Sequence, residues 1–187
     1  EPGTAFTEMR DQGFLQEADP DFTAQAYQRI RSGLRKLGYR QYELFSFTRP
    51  GYECRHNLNY WRGGPYFGCG PSAHSHQFGI RWSNPADLTT WTQSWLHSTP
   101  PPAERDILPP EGKARERLMT ELRLTQGISE EEFTAATGFS PRRLIPPELL
   151  DAWVAQGWMQ CRNGRIRLDP SAYLISDSLF RELLLPL

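Results

Sequence analysis

Apolar positions first recur with a helical period after Pro20. Phe22, Ala26, Ile30, Leu34 and Leu37 follow one another at spacings of four, four, four and three, which predicts an amphipathic helix. Asp21 is placed to cap its start, and Gly38 stands where a left-handed terminating residue is wanted. The next apolar run, "YELFSF" at 42–47, alternates, so that a strand there would carry Glu43, Phe45 and Phe47 on one face. Arg49-Pro50-Gly51 ends it. A helix followed by a strand is one repeat of an α/β layer, and one repeat cannot close its own sheet. Self-association through the exposed strand edge is therefore expected.

A second helix is predicted in "SNPADLTTWTQSW", with Asn84 as cap, Pro85 at the first helical position and Asp87 in the first turn. Leu88, Trp91 and Trp95 would line one face. The stretch 98–110 holds five prolines and no periodic pattern, and 99–110 reads as a linker between a first part, 1–98, and a second, 111–187. The second part is more regular. A helix over 112–125 places Leu118 and Leu122 one turn apart. Ser129 and Glu132 form a capping box for the next, which Gly138 ends. "PPELLDAWVAQG" makes a third, with Leu149, Leu150 and Trp153 inward. "WMQCRNGRIRL" then predicts a hairpin turning on Asn163-Gly164, pairing Cys161 with Ile166 and Met159 with Leu168 on one face. Gln160, Arg162, Arg165 and Arg167 fall on the other. The fold class is thus α/β plus α+β, ending in a small winged-helix-like domain of three helices and a β-hairpin.

Composition changes this picture little. The 187 residues are 38 % hydrophobic and 12 % aromatic, with sixteen prolines and a mean hydropathy of -0.62. No apolar run approaches a membrane span, and the start is not a signal peptide. Three widely spaced cysteines make no disulfide framework and fit a reducing cytoplasm. The chain opens on "EPGTAF" without a Met, as if entered in mid-fold, so a piece of a longer protein is expected. Winged-helix shapes often bind DNA, but residues 111–187 carry ten Lys/Arg against eleven Asp/Glu, a net charge of -1. The third helix has Glu148 and Asp151 and no basic residue, so phosphate contacts are poorly offered and nucleic acid is not an expected partner.

The candidate chemistry gathers at residues 52–76, "YECRHNLNYWRGGPYFGCGPSAHSH". Cys54, Cys69 and Cys161 are separated by 15 and 92 positions and form no iron–sulfur motif. Cys54, His56, Cys69, His74 and His76 include enough ligands for zinc, but their spacing matches none of the usual knuckles. "HNLNYW" combines a ligand with flat apolar surface, which is what haem requires. His56 can supply the iron ligand, with Cys54 or His74 as rivals, and Tyr60 and Trp61 can supply the wall. The plainer alternative makes Tyr60 and Trp61 core residues and leaves His56 and Asn57 bonding loop backbone. In "GCGPSAHS", Gly68 and Gly70 would let backbone approach another group, although the full phosphate-cradling pattern is missing.

Four blocks in order, "EPGT", "GYRQYELFS", "PGYECRHNLNYW" and "YFGCGPSAHS", resemble the oxygen-independent coproporphyrinogen-III-oxidase-like family of radical-SAM proteins. The HNxxYW block is similar to that of its haem-chaperone branch, and "LRLTQGI" with the Gly164–Leu168 strand resembles the family's C-terminal domain. The resemblance implies that 1–98 is the C-terminal remnant of a partial (β/α) barrel. It also implies a [4Fe-4S] cluster and S-adenosylmethionine in the parent protein, although no CxxxCxxC occurs in this chain. It points to His56, Asn57, Tyr60 and Trp61 as haem-binding residues, with Cys54 beside them. Gly68, Gly70 and His74 would lie near a cofactor, although Pro71-Ser72 here precede Ala73-His74-Ser75 where the family often has Gly-Ala-His-Ser. Three functions follow as expectations: haem binding and delivery to an acceptor protein; a part in oxidative decarboxylation of porphyrinogen propionates; or a structural docking role for 111–187. No catalytic residue is expected within the chain itself.

Overall fold

The computed structural model describes residues 3–97 and 104–184. The chain divides into two compact units, Glu1–Arg40 and Gln41–Leu187.

The first unit holds helices α1 (Ala5–Asp11) and α2 (Pro20–Lys36). The cap of α2 is Asp19, whose carboxylate accepts the Asp21 N–H at 2.8 Å, and not Asp21 as its position suggested. Pro20 explains the shift: its fixed φ and missing donor suit the first helical position, so the cap falls one residue earlier. Asp21 then sits in the first turn, where a negative charge meets the helix dipole. The apolar stripe forms as its period requires, but Phe22, Ile30 and Leu37 remain 66 %, 56 % and 70 % exposed.

The second unit begins with a two-stranded ribbon of β1 (Arg40–Gln41) and β2 (Phe47–Thr48). The continuous strand expected over 42–47 is replaced by a tight loop in which the Tyr42 N–H donates to the Ser46 carbonyl. Glu43 and Leu44 are both buried, against the alternation. The reason is tertiary. The Leu44 N–H donates to the Arg123 carbonyl, the Thr125 N–H donates to the Tyr42 carbonyl, and Glu43 bridges Leu124, so this backbone serves a distant segment rather than a sheet edge.

Helix α3 (Arg55–Trp61) follows, then an antiparallel sheet of β3 (His74–Gln77), β4 (Ile80–Ser83) and β5 (Glu104–Asp106) in that order. Strand β5 lies within the proline-rich stretch read as a linker, and residues 98–103 of that stretch lie outside the described ones. Helix α4 (Leu88–Leu96) starts at Asp87 rather than Asn84. The Asp87 carboxylate accepts from both the hydroxyl and the N–H of Thr90, which hold it below the usual carboxylate range. Asn84 is diverted because the preceding residues are a strand.

The β3–β4 turn places Phe78 and Gly79 between the paired Gln77 and Ile80, with φ of 52° and 70°. Two positive φ values define a type I′ turn, for which Asn-Gly is preferred and a bulky aromatic is strained. Phe78 is 87 % exposed and contributes little burial in return. Phe78→Asn is expected to stabilise the protein by about 1 kcal/mol, read as a higher urea midpoint at unchanged slope.

The C-terminal part contains α5 (Pro110–Glu121), α6 (Glu130–Thr137), α7 (Pro141–Leu144), α8 (Pro147–Ala155) and α9 (Ser176–Leu184). Its sheet runs β6 (Ile128–Ser129), β8 (Arg165–Leu168), β7 (Met159–Arg162). Ser129 caps α6 by accepting the Glu132 N–H at 3.3 Å, and Gly138 ends it with φ 77°. The hairpin adopts the expected register, with Met159 opposite Leu168 and Cys161 opposite Ile166. Burial raises the Cys161 thiol pKa above its ordinary value, in keeping with its place towards the apolar face. The description of three helices and a hairpin was too short. It omitted β6, the short α7, a 3-10 turn over Pro170–Ile175 and α9. Leu179, Phe180 and Leu183 of α9 are buried with Leu118, Leu122, Ile128, Phe133, Trp153 and Ile166 in one core. Their spacing of one and three residues was a usable helical signal. Helix α5 joins the two halves of this unit, lying against α3 on one side and against α7 and α9 on others. No helix among the described residues is long and apolar enough to cross a membrane.

Candidate functional site

The HNLNYW segment is helix α3, so its residues are distributed around a cylinder at about 100° each. His56 and Tyr60 are four apart and share a face; Asn57 and Trp61 share the next. Cys54 is the N-cap residue, makes no capping hydrogen bond and is exposed. The His56 ring is also exposed and rests edge-on against Tyr60, with centroids 4.6 Å apart and planes at 79°. Asn57 Nδ2 donates to the Tyr42 hydroxyl at 3.3 Å and ties α3 to the 42–46 loop. Trp61 turns away from His56 by roughly 140° around the helix axis. It lies under the Arg123 guanidinium, whose central carbon is 4.8 Å from the ring centre. Helical periodicity thus puts Trp61 on a different face of α3 from His56.

Beyond α3 the aromatic series continues. Tyr60 packs on Tyr66 with centroids 4.2 Å apart, and Tyr66 approaches His76 at 5.9 Å. His56 and His76 thus stand at the two ends of a run of four rings. The loop between α3 and β3 is held by Asn59, whose Nδ2 donates to the Pro65 carbonyl, and by the Tyr66–His76 backbone pair.

Gly68 does let backbone come close, but to its own chain. A Cβ there would lie 2.2 Å from the His74 carbonyl oxygen, so only glycine fits against β3. Its N–H donates to the Ser75 hydroxyl at 2.9 Å, and Ser75 is 2 % exposed. The Asn84 amide donates to the carbonyls of Gly68 and Gly70 and closes the loop over them. Gly68 thus serves the packing of its own chain, whereas Gly70 has open space at its Cβ position and a φ of 109°.

On β3, His74 and His76 are two apart and share a face of the strand. His74 Nδ1 bonds the Ser72 carbonyl and His76 Nδ1 the Gly64 carbonyl, both at 3.1 Å. A carbonyl oxygen only accepts, so in each neutral ring Nδ1 carries the hydrogen and Nε2 keeps a free lone pair. Both imidazoles line a cavity of about 510 Å³. Its other walls include Tyr60, Trp61 and Tyr66, together with Arg81 of β4 and Lys113, Glu116 and Arg117 of α5. Of the residues singled out in the sequence, the cavity thus collects Tyr60, Trp61 and His74 and leaves out His56, Asn57, Cys54, Gly68 and Gly70. It also takes in His76, which the sequence offered only as a zinc ligand, whereas Tyr66 and the α5 cations were missed. Alternation through "HSHQ" could have placed His76 beside His74, whereas α5 lies too far along the chain for any local pattern. No group of three or more His, Cys, Asp or Glu side chains is placed to hold a metal among the described residues.

Comparison with known proteins follows the same lines. A family model described as the HemN C-terminal domain matches residues 108–175. The heme chaperone HemW of Mycobacterium tuberculosis is 32 % identical over 184 residues, covering 98 % of this chain and 45 % of that protein. The heme chaperone HemW of Synechocystis is 37 % identical over 133 residues, covering 69 % of this chain and 32 % of that protein. The chain therefore spans less than half the length of these curated relatives. Among solved structures, the radical SAM enzyme coproporphyrinogen III oxidase (HemN) of Escherichia coli matches with a TM-score of 0.69. The match covers 89 % of this chain and 42 % of that one at 14 % identity, a likeness of fold.

Proposed function

Since the chain belongs to the coproporphyrinogen-III-oxidase-like family that includes HemN and HemW, we propose that it is the haem-handling C-terminal part of a HemW-like radical-SAM protein. Haem is its cargo, and His56 is the iron ligand. The observation that carries this reading is the state of His56: its imidazole is exposed beside a tyrosine ring and has no main-chain hydrogen bond among the described residues. An accessible imidazole against a flat aromatic face fits a haem iron, with Tyr60 as the adjoining wall. Cys54, exposed at the start of the same helix, is the rival ligand. Exposure on one side suits cargo that must leave again to an acceptor protein.

The family model over 108–175 supports taking 111–187 as a module of its own, winged-helix-like in its helices and hairpin. Residues 1–98 are then the end of the family's barrel. A [4Fe-4S] cluster and S-adenosylmethionine do not fit the residues present. The three cysteines lie far apart in sequence, and no cluster of metal ligands forms among the described residues. No chemical step is therefore assigned to these groups here.

Haem titration of the chain and of His56→Ala tests the proposal. The visible spectrum of bound haem is expected to lose its imidazole-ligated form in the variant. Superimposable spectra reject His56 as ligand. The fold shared with HemN supports a second reading, that the whole protein oxidises porphyrinogen propionates. Turnover of coproporphyrinogen by a full-length relative with its cluster intact decides between them.

A further inference from the structure

The cavity beneath β3 and β4 is separate from the exposed His56 and has a chemistry of its own. Three aromatic rings, Tyr60, Trp61 and Tyr66, contribute to its wall. Three cations, Arg81, Lys113 and Arg117, face one carboxylate, Glu116. That carboxylate is already paired with Arg81, and Arg117 is paired with Glu121 outside the cavity at 2.7 Å. Lys113 is half-buried and has no ion-pair partner among the described residues. An unpaired ammonium taken partly out of water is costly unless something anionic joins it. The β3–β4 turn lies against this lysine: a Cβ at Gly79 would stand 2.8 Å from Lys113 Nζ.

His74 and His76 add two Nε2 lone pairs, fixed in direction by their Nδ1 bonds. At about 510 Å³ the cavity falls in the size range of small-molecule sites, roughly 300–1,000 Å³. Flat aromatic walls with an excess of positive charge call for a planar aromatic ligand that carries anionic arms.

We propose that this cavity binds the propionate-bearing edge of a tetrapyrrole, with Lys113 as the carboxylate anchor and Tyr60 and Tyr66, whose planes meet at 45°, as aromatic walls beside the ring. Identifying the ligand as a tetrapyrrole rests on the haem reading above; the existence of an anion-binding aromatic site does not. Because the anchor grips carboxylate and not iron, binding here does not require a metal in the ring.

The test uses metal-free protoporphyrin, followed by its fluorescence on titration with the chain. Lys113→Gln is expected to weaken binding about tenfold, the effect of losing one charge-assisted hydrogen bond. Lys113→Arg is expected to retain binding, which separates loss of the anchor from loss of the fold. The dimethyl ester, which lacks the carboxylates, is expected to bind wild type and Lys113→Gln equally and more weakly than the free acid. Equal affinity for acid and ester, or an unchanged Lys113→Gln, overturns the proposal. Displacement of the porphyrin by adenosine monophosphate would assign the cavity to aromatic anions other than tetrapyrroles, and overturns it too. The two readings fail separately. A haem spectrum that depends on His56 alongside an indifferent Lys113 leaves only the His56 assignment. Lys113-dependent porphyrin binding with a haem spectrum blind to His56→Ala leaves only the cavity.

Discussion

Gly68→Ala is expected to destabilise the protein by about 3 kcal/mol, read as a lower urea midpoint followed by tryptophan fluorescence. The added Cβ would sit 2.2 Å from the His74 carbonyl oxygen and 2.8 Å from the His74 N and C atoms, all backbone. Backbone cannot swing aside as a long side chain can, so the 68–70 loop must leave β3. The Gly68 N–H then parts from the Ser75 hydroxyl, which at 2 % exposure has no water to turn to. An unsatisfied buried polar group alone costs about 1–3 kcal/mol, and the displaced contacts with Asn84 add to it. The same variant should bind porphyrin less well, because His74 and His76 ride on the strand that the loop braces. An unchanged midpoint would show that the loop is not seated on β3 as described.

Trp153→Ala should cost about 3–5 kcal/mol, the range seen when a large aromatic is removed from a close-packed core. Trp153 is 2 % exposed on α8, in the same core as Phe133, Ile166 and Leu179. Domains carry only about 5–15 kcal/mol in all, so this one change should remove much of the stability of the second unit. Trp153→Phe keeps the ring and most of the volume and should lose clearly less. If both variants melted with the wild type, the core around α8 would not be closed. The contrast with Lys113→Gln is useful: the tryptophan holds the unit together, whereas the lysine should affect binding with little effect on folding.

The substitutions differ in how far the sequence alone could have suggested them. Trp153 was visible from helical spacing with Leu149 and Leu150. The hairpin register was visible too, because Asn163-Gly164 demands a type I′ turn and period-two alternation then permits one pairing. Ser129 announced the start of α6 in the same local way. HNLNYW was legible as a motif, but not its helical form, which sets His56 and Trp61 on different faces. The failures share a cause. "YELFSF" alternates as a strand does, yet its backbone is claimed by Arg123 and Thr125, some eighty positions on. Asn84 has the makings of a cap, yet β4 ends beside it and its amide is spent on Gly68 and Gly70.

What the chain determined by itself is whatever depends on neighbours within a few residues: the period of its helices, the two-residue turn, the caps, and the choice of imidazole and aromatic side chains in one short segment. Those preferences act through φ and ψ and through hydrogen bonds that close over one turn. Only the tertiary structure decided which faces of α3 look outward and inward, and that Lys113 and Arg117 come up from α5 to meet His74, His76 and Tyr66 around one cavity. That meeting brings together residues some forty positions apart. It is set by how apolar surfaces close on one another, a term that no local pattern contains.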